Sequence, residues 1–286
     1  MKKKVLVLGS TGMLGHQVVN YLSQFDEYEV VDISYRNKLR DSTIILDVTN
    51  RDLLEKTIVD IKPNFIVNCI GVLINGANSD IANAIYINAY LPHQLKNVSE
   101  NINAKLIHIS TDCVFSGKRG KYLESDERDG KDTYAKTKTL GEVIDDTNVT
   151  LRTSIIGLEI KTNGEGLFHW FMNQSGTING FTKAIWSGVT TIELAKAVKW
   201  AIESEITGLY HVTNNKDINK YELLNLFKKY TKKDIIINKI DGKEVNKNFI
   251  DTRKEINYVI PSYEKMVAEM IYLMQNNKLY SQYSMD

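Results

Sequence analysis

The stretch Val5-Leu6-Val7-Leu8-Gly9-Ser10-Thr11-Gly12-Met13-Leu14-Gly15 decides how the rest of the chain is read. Four consecutive apolar residues suit a strand buried on both faces, as in a parallel sheet. The glycines recur as G-x-x-G-x-x-G, and apolar residues then recur at helical spacing from Met13 to about Gln24. A buried strand turning through glycines into an amphipathic helix is a dinucleotide-binding arrangement. Gly9 permits the tight turn, Gly12 lets the backbone approach a pyrophosphate, and Gly15 lets helix and strand pack closely. The helix N-terminus adds amide donors and partial positive charge. Thr11, Met13 and Leu14 complete the set of candidate cofactor contacts in this loop.

Outward from the loop, strand-like and helix-like segments alternate. Strands are expected at 28–33, 44–46, 65–67, 106–109 and 149–156, and helices near 50–60, 80–102 and 133–145. This alternation predicts an α/β fold: a doubly wound parallel Rossmann sheet with a smaller, closely packed C-terminal substrate-binding region. The expected division is 1–157 for the dinucleotide and 158–286 for the substrate, with about 190–213 returning to the first part. Residues 158–188 show no clean period and are expected to be loops. Residues 219–286 read as two helices around a strand at Ile235-Ile236-Ile237, and the Lys-rich stretch 228–247 reads as a solvated face.

Composition narrows the class. With 43% apolar and 25% charged residues, the 286-residue chain is ordinary for a globular protein, which excludes disordered, collagenous and coiled-coil classes. Lys+Arg 36 against Asp+Glu 35 leaves +1, so there is no global electrostatic case for binding nucleic acid or an anionic membrane. Cys69 and Cys113 have neither disulfide nor metal spacing, so a reduced, cytoplasmic protein without a metal site is expected. No apolar run approaches the roughly 20 residues that span a bilayer. Lys2-Lys3-Lys4 reads as a basic lead-in to the first strand, not as part of a signal peptide.

The second strand bears on the cofactor. Asp32 is the only acid near its end, but the apolar strand runs on through Ile33, which puts Ser34, Tyr35 and Arg36 at the tip. Ser34 and Arg36 suit a ribose 2′-phosphate, where an acid would repel it, so NADP(H) is favoured over NAD(H). A solvated Arg36 is the alternative. Asp47 and Val48 are placed to line an adenine, with Asp47 equally suited to a helix start.

Tyr134 and Lys138 are four apart and share one helix face. An ammonium beside a phenol favours phenolate, which suits tyrosine to proton transfer near neutrality. Thr111, at the carboxyl end of the 106–109 strand, is placed to bind a carbonyl oxygen, with Ser110 as the competing hydroxyl.

Taken together, the glycine loop, Ser-Thr-Asp-x-Val-Phe at 110–115, Tyr-x-x-x-Lys at 134–138, Gly141-Glu142 and Leu151-Arg152-Thr153-Ser154 resemble the extended short-chain dehydrogenases/reductases, and more narrowly their dTDP-4-dehydrorhamnose reductase branch. The resemblance implies hydride delivery from NAD(P)H to the C4 ketone of a nucleotide-linked 4-keto-6-deoxy sugar. Tyr134 would be the proton donor, Lys138 its pKa modifier and ribose ligand, and Thr111 the carbonyl-binding group. It also implies cofactor contacts at Cys69, Ile70, Gly71, Thr153 and Ser154, and a supporting role for Asn88. Asp112, Cys113, Val114 and Phe115 fall on the substrate side. Four features depart from the pattern: Cys113 stands where tyrosine is usual, no proline precedes Tyr134, Ser34 stands where an acid is typical at the tip of the second strand, and residues 184–190 are not of the rhamnose-enzyme type. A UDP-linked 4-keto-6-deoxy-N-acetylhexosamine is therefore as acceptable as dTDP-4-dehydrorhamnose. A homodimer is compatible with the resemblance.

Trp186 reads either as a stacking platform or as core, and Arg253 either as a diphosphate ligand or as a surface ion pair. His169 is the one histidine singled out in the substrate region. Two other functions stay open: an epimerase or dehydratase holding NAD tightly, and a non-catalytic NADP-binding regulatory subunit.

Overall fold

The four apolar residues that open the chain divide between two cores. Val5 and Val7 face one apolar cluster, while Leu6 and Leu8 face another, and all four are wholly buried. Side chains alternate across a strand, so this strand must lie in a sheet covered on both sides. A computed structural model describes residues 2–253 and 258–283.

The first half runs β1 (Lys3–Leu8), α1 (Gly15–Leu22), β2 (Tyr28–Ser34), β3 (Ile44–Ile45), α2 (Arg51–Ile61), β4 (Phe65–Asn68), α3 (Ile74–Ser79), α4 (Ile81–Ala84), α5 (Leu91–Asn101), β5 (Lys105–Thr111), α6 (Thr133–Leu140) and β6 (Val149–Thr153). The second half runs β7 (Ile155–Ile156), α7 (Leu167–Met172), β8 (Gly176–Phe181), β9 (Ala184–Trp186), β10 (Val189–Thr190), α8 (Thr191–Glu203), β11 (Gly208–His211), β12 (Ile218–Asn219), α9 (Lys220–Thr231), β13 (Ile235–Ile240), β14 (Val245–Asn246) and α10 (Tyr263–Asn276). Seven parallel strands form the central sheet in the order β11-β6-β5-β4-β1-β2-β3. The order reverses between β1 and β4, and the crevice at such a switch point, outside the carboxyl ends of the strands, is where open α/β sheets take ligands. The fold is the α/β parallel sheet that the alternation predicts.

Four elements differ from the sequence reading. The 80–102 helix is interrupted by a π-helical turn at Ile85–Tyr90. Pro92 has no N–H to offer the Asn88 carbonyl four residues earlier, and its ring crowds that oxygen, so the turn widens. The helix from Thr133 stops at Leu140 rather than near 145, because the next residue presses on the widened turn: a Cβ on Gly141 would sit 1.9 Å from the Asn88 carbonyl oxygen. The 149–156 strand breaks at Ser154; β6 stays in the central sheet while β7 pairs with β10. Residues 158–188 are more regular than expected: they form α7, β8 and β9, with β8 in parallel register against β13.

Candidate active site

The glycine loop follows from backbone geometry. Gly9 has φ +83°, and a Cβ on Gly15 would lie 2.1 Å from the Gly9 carbonyl oxygen. Ile70, just past β4, closes the other side, 2.9 Å from a Cβ on Gly9, while Cys69 and Gly71 flank it. His16 Nδ1 donates to the Gly12 carbonyl (2.7 Å), and Nε2 lies 3.0 Å from the Tyr280 hydroxyl. Burial pushes the His16 pKa down to about 4, so the ring is neutral and adds no charge to the loop. The amides of Thr11, Met13 and Leu14 find no acceptor among the described residues. Unpaired amides at the start of a helix beside a glycine turn fit the phosphates of a dinucleotide.

At the tip of β2, Asp32 is wholly buried and accepts from Arg40 Nε (2.7 Å) and Thr43 Oγ1 (2.8 Å), so it is not at the mouth. Ser34 is also buried, and its hydroxyl donates to the Asn37 carbonyl, which ties the loop down instead of presenting the oxygen outward. Tyr35 is exposed, and the Arg36 guanidinium lies over its ring at 4.5 Å. Of the three tip residues, Tyr35 and Arg36 keep their side chains outward. Asp47 accepts from the Thr49 amide and hydroxyl in the turn leading to α2, and Val48 is buried beside it.

Thr111, Tyr134 and Lys138 converge at the carboxyl end of β5. Burial pushes the Tyr134 phenol well up, against a smaller lowering effect of the Thr111 hydroxyl, which itself donates to Asp112 Oδ1 (3.2 Å). The i, i+4 spacing predicts the opposite shift. The reason is where the ammonium points: Lys138 Nζ donates to the Ile109 carbonyl (2.8 Å) and lies 3.5 Å from His108 Nε2. Burial brings the Lys138 pKa down to about 8. His108, wholly buried and held neutral by burial and by Lys138, accepts from Asn68 Nδ2 at Nδ1 (3.2 Å). Sequence reasoning missed His108 because an isolated histidine inside a strand looks like core.

Ser110 faces away from this group. Successive side chains on a strand point to opposite faces, and Ser110 Oγ donates to Glu142 Oε1 (2.6 Å). It is therefore not the competing hydroxyl. Asn88 sits in the π-helical turn. Its amide accepts from Val72 N (2.8 Å) and donates to Val72 O (2.9 Å) and Thr137 Oγ1 (3.2 Å), which fastens α6 to the segment after β4. Thr153 Oγ1 donates to the Val212 carbonyl (2.8 Å), and Ser154 Oγ accepts from Trp186 Nε1 (2.8 Å).

On the substrate side, Asp112 and Cys113 lie next to the Thr111–Tyr134 pair. Val114 and Phe115 do not: they are wholly buried in a small core with Tyr122 and Phe249, where Phe115 stacks on Tyr122 at 4.2 Å. Trp186 is core as well, packed at 5.6 Å against Tyr263. Arg253 lies over Tyr210 at 4.1 Å and donates to the Leu209 carbonyl (2.9 Å), which anchors its segment to the start of β11. His169 is buried, with Nδ1 2.9 Å from the Tyr283 hydroxyl. Two residues the sequence did not single out enter instead. Lys220, the first residue of α9, lies 5.6 Å over the Trp186 ring, and Lys247 acts electrostatically on Cys113 and Asp112. Lys247 closes the Lys-rich stretch and is turned inward, unlike the solvated face expected there.

A family model described as RmlD substrate binding domain matches residues 3–249. The chain belongs to that family. Among relatives of this RmlD-like branch of the short-chain dehydrogenases/reductases, a dTDP-4-dehydrorhamnose reductase from Aggregatibacter actinomycetemcomitans is 30% identical over 53% of this chain, and the match spans about half (51%) of that enzyme's length. A methionine adenosyltransferase 2 subunit beta from Bos taurus is 26% identical over 77% of this chain and 70% of its own length. In structure, this RmlD-like chain superposes with TM-score 0.81 on a dTDP-4-dehydrorhamnose reductase from Bacillus anthracis in complex with NADP, at 22% identity, covering 95% of this chain and 98% of that one. That likeness shows the shared fold. No helix among the described residues is long and apolar enough to cross a membrane.

Proposed function

We propose that this protein is an NADP(H)-dependent reductase of the C4 ketone of a nucleotide-linked 4-keto-6-deoxy sugar, either dTDP-4-dehydrorhamnose or a UDP-4-keto-6-deoxy-N-acetylhexosamine. It would work in the cytoplasm, in surface-polysaccharide synthesis. The observation that carries the reading is the convergence of Thr111, Tyr134 and Lys138 beside an unpaired-amide glycine loop, in a chain of the RmlD substrate binding domain family. Residues 1–157, with 190–213, would hold the dinucleotide, and the remainder would shape the sugar site.

The glycine-loop amides would hold the dinucleotide phosphates, Arg36 would meet a 2′-phosphate, and Thr153 and Ser154 would border the nicotinamide. When bound, the cofactor supplies the hydride. Tyr134 stays protonated at neutral pH because burial raises its phenol, which suits it to give a proton to the oxygen of the reduced carbonyl. Thr111 would offer a hydroxyl to the same oxygen. Lys138 places a positive charge behind the tyrosine as phenolate forms, while the Ile109 carbonyl, which accepts from its ammonium, fixes where that charge sits.

The test is oxidation of NADPH and NADH against dTDP-, UDP- and GDP-linked 4-keto-6-deoxy sugars. Turnover faster with NADPH supports the reading and names the sugar. The likeness to methionine adenosyltransferase 2 subunit beta favours a second reading, an NADP-binding subunit without turnover. NADPH binding with no turnover on any sugar would replace the first reading with the second. NAD retained through purification would favour an epimerase or dehydratase.

A further inference from the structure

Behind the glycine loop, His16 and Gln17 of α1 meet Tyr280, which lies 264 residues beyond His16 in the helical turns Lys278–Tyr283. All three side chains are buried. The Gly12 carbonyl can only accept, so His16 Nδ1 carries the proton in their 2.7 Å bond. Burial keeps the ring neutral, which leaves Nε2 as an acceptor. The Tyr280 hydroxyl, 3.0 Å away, donates to it and accepts in turn from Gln17 Nε2 (2.6 Å). The chain therefore runs in one direction, from Gln17 through Tyr280 and His16 to the Gly12 carbonyl.

That carbonyl shares a planar, trans peptide with the Met13 amide, so the two point opposite ways. A carbonyl drawn back onto His16 turns the Met13 N–H outward, and this amide has no acceptor among the described residues. Glycine restricts its own backbone least, so the peptide after Gly12 needs a tether to keep one orientation. The His16 backbone amide reaches the same oxygen only at 3.3 Å, which makes the shorter bond from the ring the firmer tether. The turns that carry Tyr280 are pinned as well. Tyr283 accepts from the Glu159 amide (3.2 Å) and lies 2.9 Å from His169 Nδ1, and Gln282 donates to the Glu159 carbonyl.

We propose that His16 and Tyr280 are positioning residues for the dinucleotide: through the Gly12 carbonyl they aim the Met13 amide at a phosphate oxygen of the cofactor. This rests on the dinucleotide reading of the glycine loop and holds whichever sugar is reduced. The histidine serves the anion by direction, not by charge.

The experiment follows NADPH fluorescence on titration of the full chain in the parent, His16→Leu, His16→Asn and Tyr280→Phe, with melting temperature as the check on folding. An asparagine amide nitrogen sits close to where histidine carries Nδ1, so His16→Asn restores the donor that His16→Leu removes. The expected result is that His16→Leu weakens NADPH about ten-fold and that His16→Asn recovers most of that loss. Tyr280→Phe should weaken it about three-fold, because Gln17 Nε2 remains 3.2 Å from the ring nitrogen as a second donor. Where a ketosugar turns over, KM for NADPH should rise in the same order, with kcat at saturating NADPH within about two-fold of the parent. A merely structural role would instead make affinity follow melting temperature. Equal affinity in the parent and the folded variants, or equal loss in His16→Asn and His16→Leu, overturns the proposal. If the variants do not fold, the parent decides. With 15N-methionine in the chain, NADPH should move the Met13 amide resonance downfield, and an unmoved resonance overturns the proposal. A parent that binds neither NADPH nor NADH removes the dinucleotide reading and this inference together. Donor-dependent NADPH binding without turnover on any sugar keeps the inference and removes the reductase.

Discussion

Ser110 and Thr111 are adjacent on β5, yet they serve two unlike clusters of buried charge. On Ser110's side, Glu142 receives four donors: Arg152 Nε (2.7 Å) and Nη2 (2.6 Å), Arg128 Nη1 (2.8 Å) and Ser110 Oγ (2.6 Å). Arg152 Nη1 continues to His211 Nε2 (2.8 Å), whose Nδ1 donates to the Ile250 carbonyl (2.9 Å). His211 is held neutral, its pKa pushed down to about 4 by burial and by Arg152, so it accepts cleanly from the guanidinium. Every charge there has a partner, and the cluster joins β5, β6 and β11 to the segment at Ile250. On Thr111's side, Tyr134 is burdened by burial, Lys138 has lost part of its basicity to burial, and burial pushes Lys220 down as well. A closed network holds a fold, whereas a network left open holds a place for something else. Which buried polar groups are structural and which are functional is read here from satisfaction, not from burial.

Tyr134→Phe tests the open side most severely. It removes the proton donor and nothing that the closed cluster uses. Turnover should fall about a thousand-fold, and the melting temperature should move by less than about 3 °C. Retained turnover would remove Tyr134 from the chemistry and break the contrast.

Glu142→Gln tests the closed side. It leaves the wholly buried Arg152 without its bidentate partner. Breaking such a pair costs about 3–5 kcal/mol, visible in urea unfolding. A loss under about 1 kcal/mol would mean that the cluster does not hold the fold together. Phe115, which lies 5.0 Å beneath the Arg152 guanidinium, would then be the true anchor.

The two sides also differ in how they titrate. Lys138 has a folded-state pKa of about 8 against a reference value of 10.5. Between those values the unfolded chain binds the extra proton, so this residue makes stability rise with pH across roughly 8 to 10.5; below about 8 its full burial cost is present. Lys138→Met should therefore melt at or above the parent at pH 7 while losing turnover by about a hundred-fold or more. The stability difference between variant and parent should shrink as pH rises from 8 towards 10.5. A difference that stays flat over that window would show that burial does not strain the lysine.

The sequence disclosed the open side unevenly. The glycine loop and the Tyr-x-x-x-Lys pair were legible because backbone sterics and helical period act over a few residues. Thr111 was legible up to a choice with Ser110, which only the facing of β5 resolves. Lys220 and Lys247 were not legible. They come from places more than 100 residues beyond Asp112, and nothing local separates an inward lysine from a solvated one. Val114 and Phe115 misled for the converse reason: they stand beside functional neighbours in sequence but turn into a core of their own. The π-helical turn was foreshadowed only by Pro92, whose effect depends on how the neighbouring Gly141 packs.

The finest probe of the contrast is the pair of hydroxyls that divides it. Ser110→Ala removes one of four donors to Glu142 and should cost about 1–2 kcal/mol of stability, with kcat unchanged. Thr111→Val keeps the shape of the side chain and removes the hydroxyl proposed to meet the carbonyl oxygen. It should lower kcat about ten-fold and change stability by about 1 kcal/mol, because the same hydroxyl's bonds, from the Cys113 amide (3.1 Å) and to Asp112 Oδ1 (3.2 Å), stay within a single short turn. Measured together, by urea unfolding and by initial rates with saturating NADPH, the two substitutions should separate cleanly, one moving stability alone and the other mainly rate. If Ser110→Ala slows turnover as much as Thr111→Val, the two clusters are coupled through β5. The closed network would then be setting the position of the open one, instead of merely lying beside it.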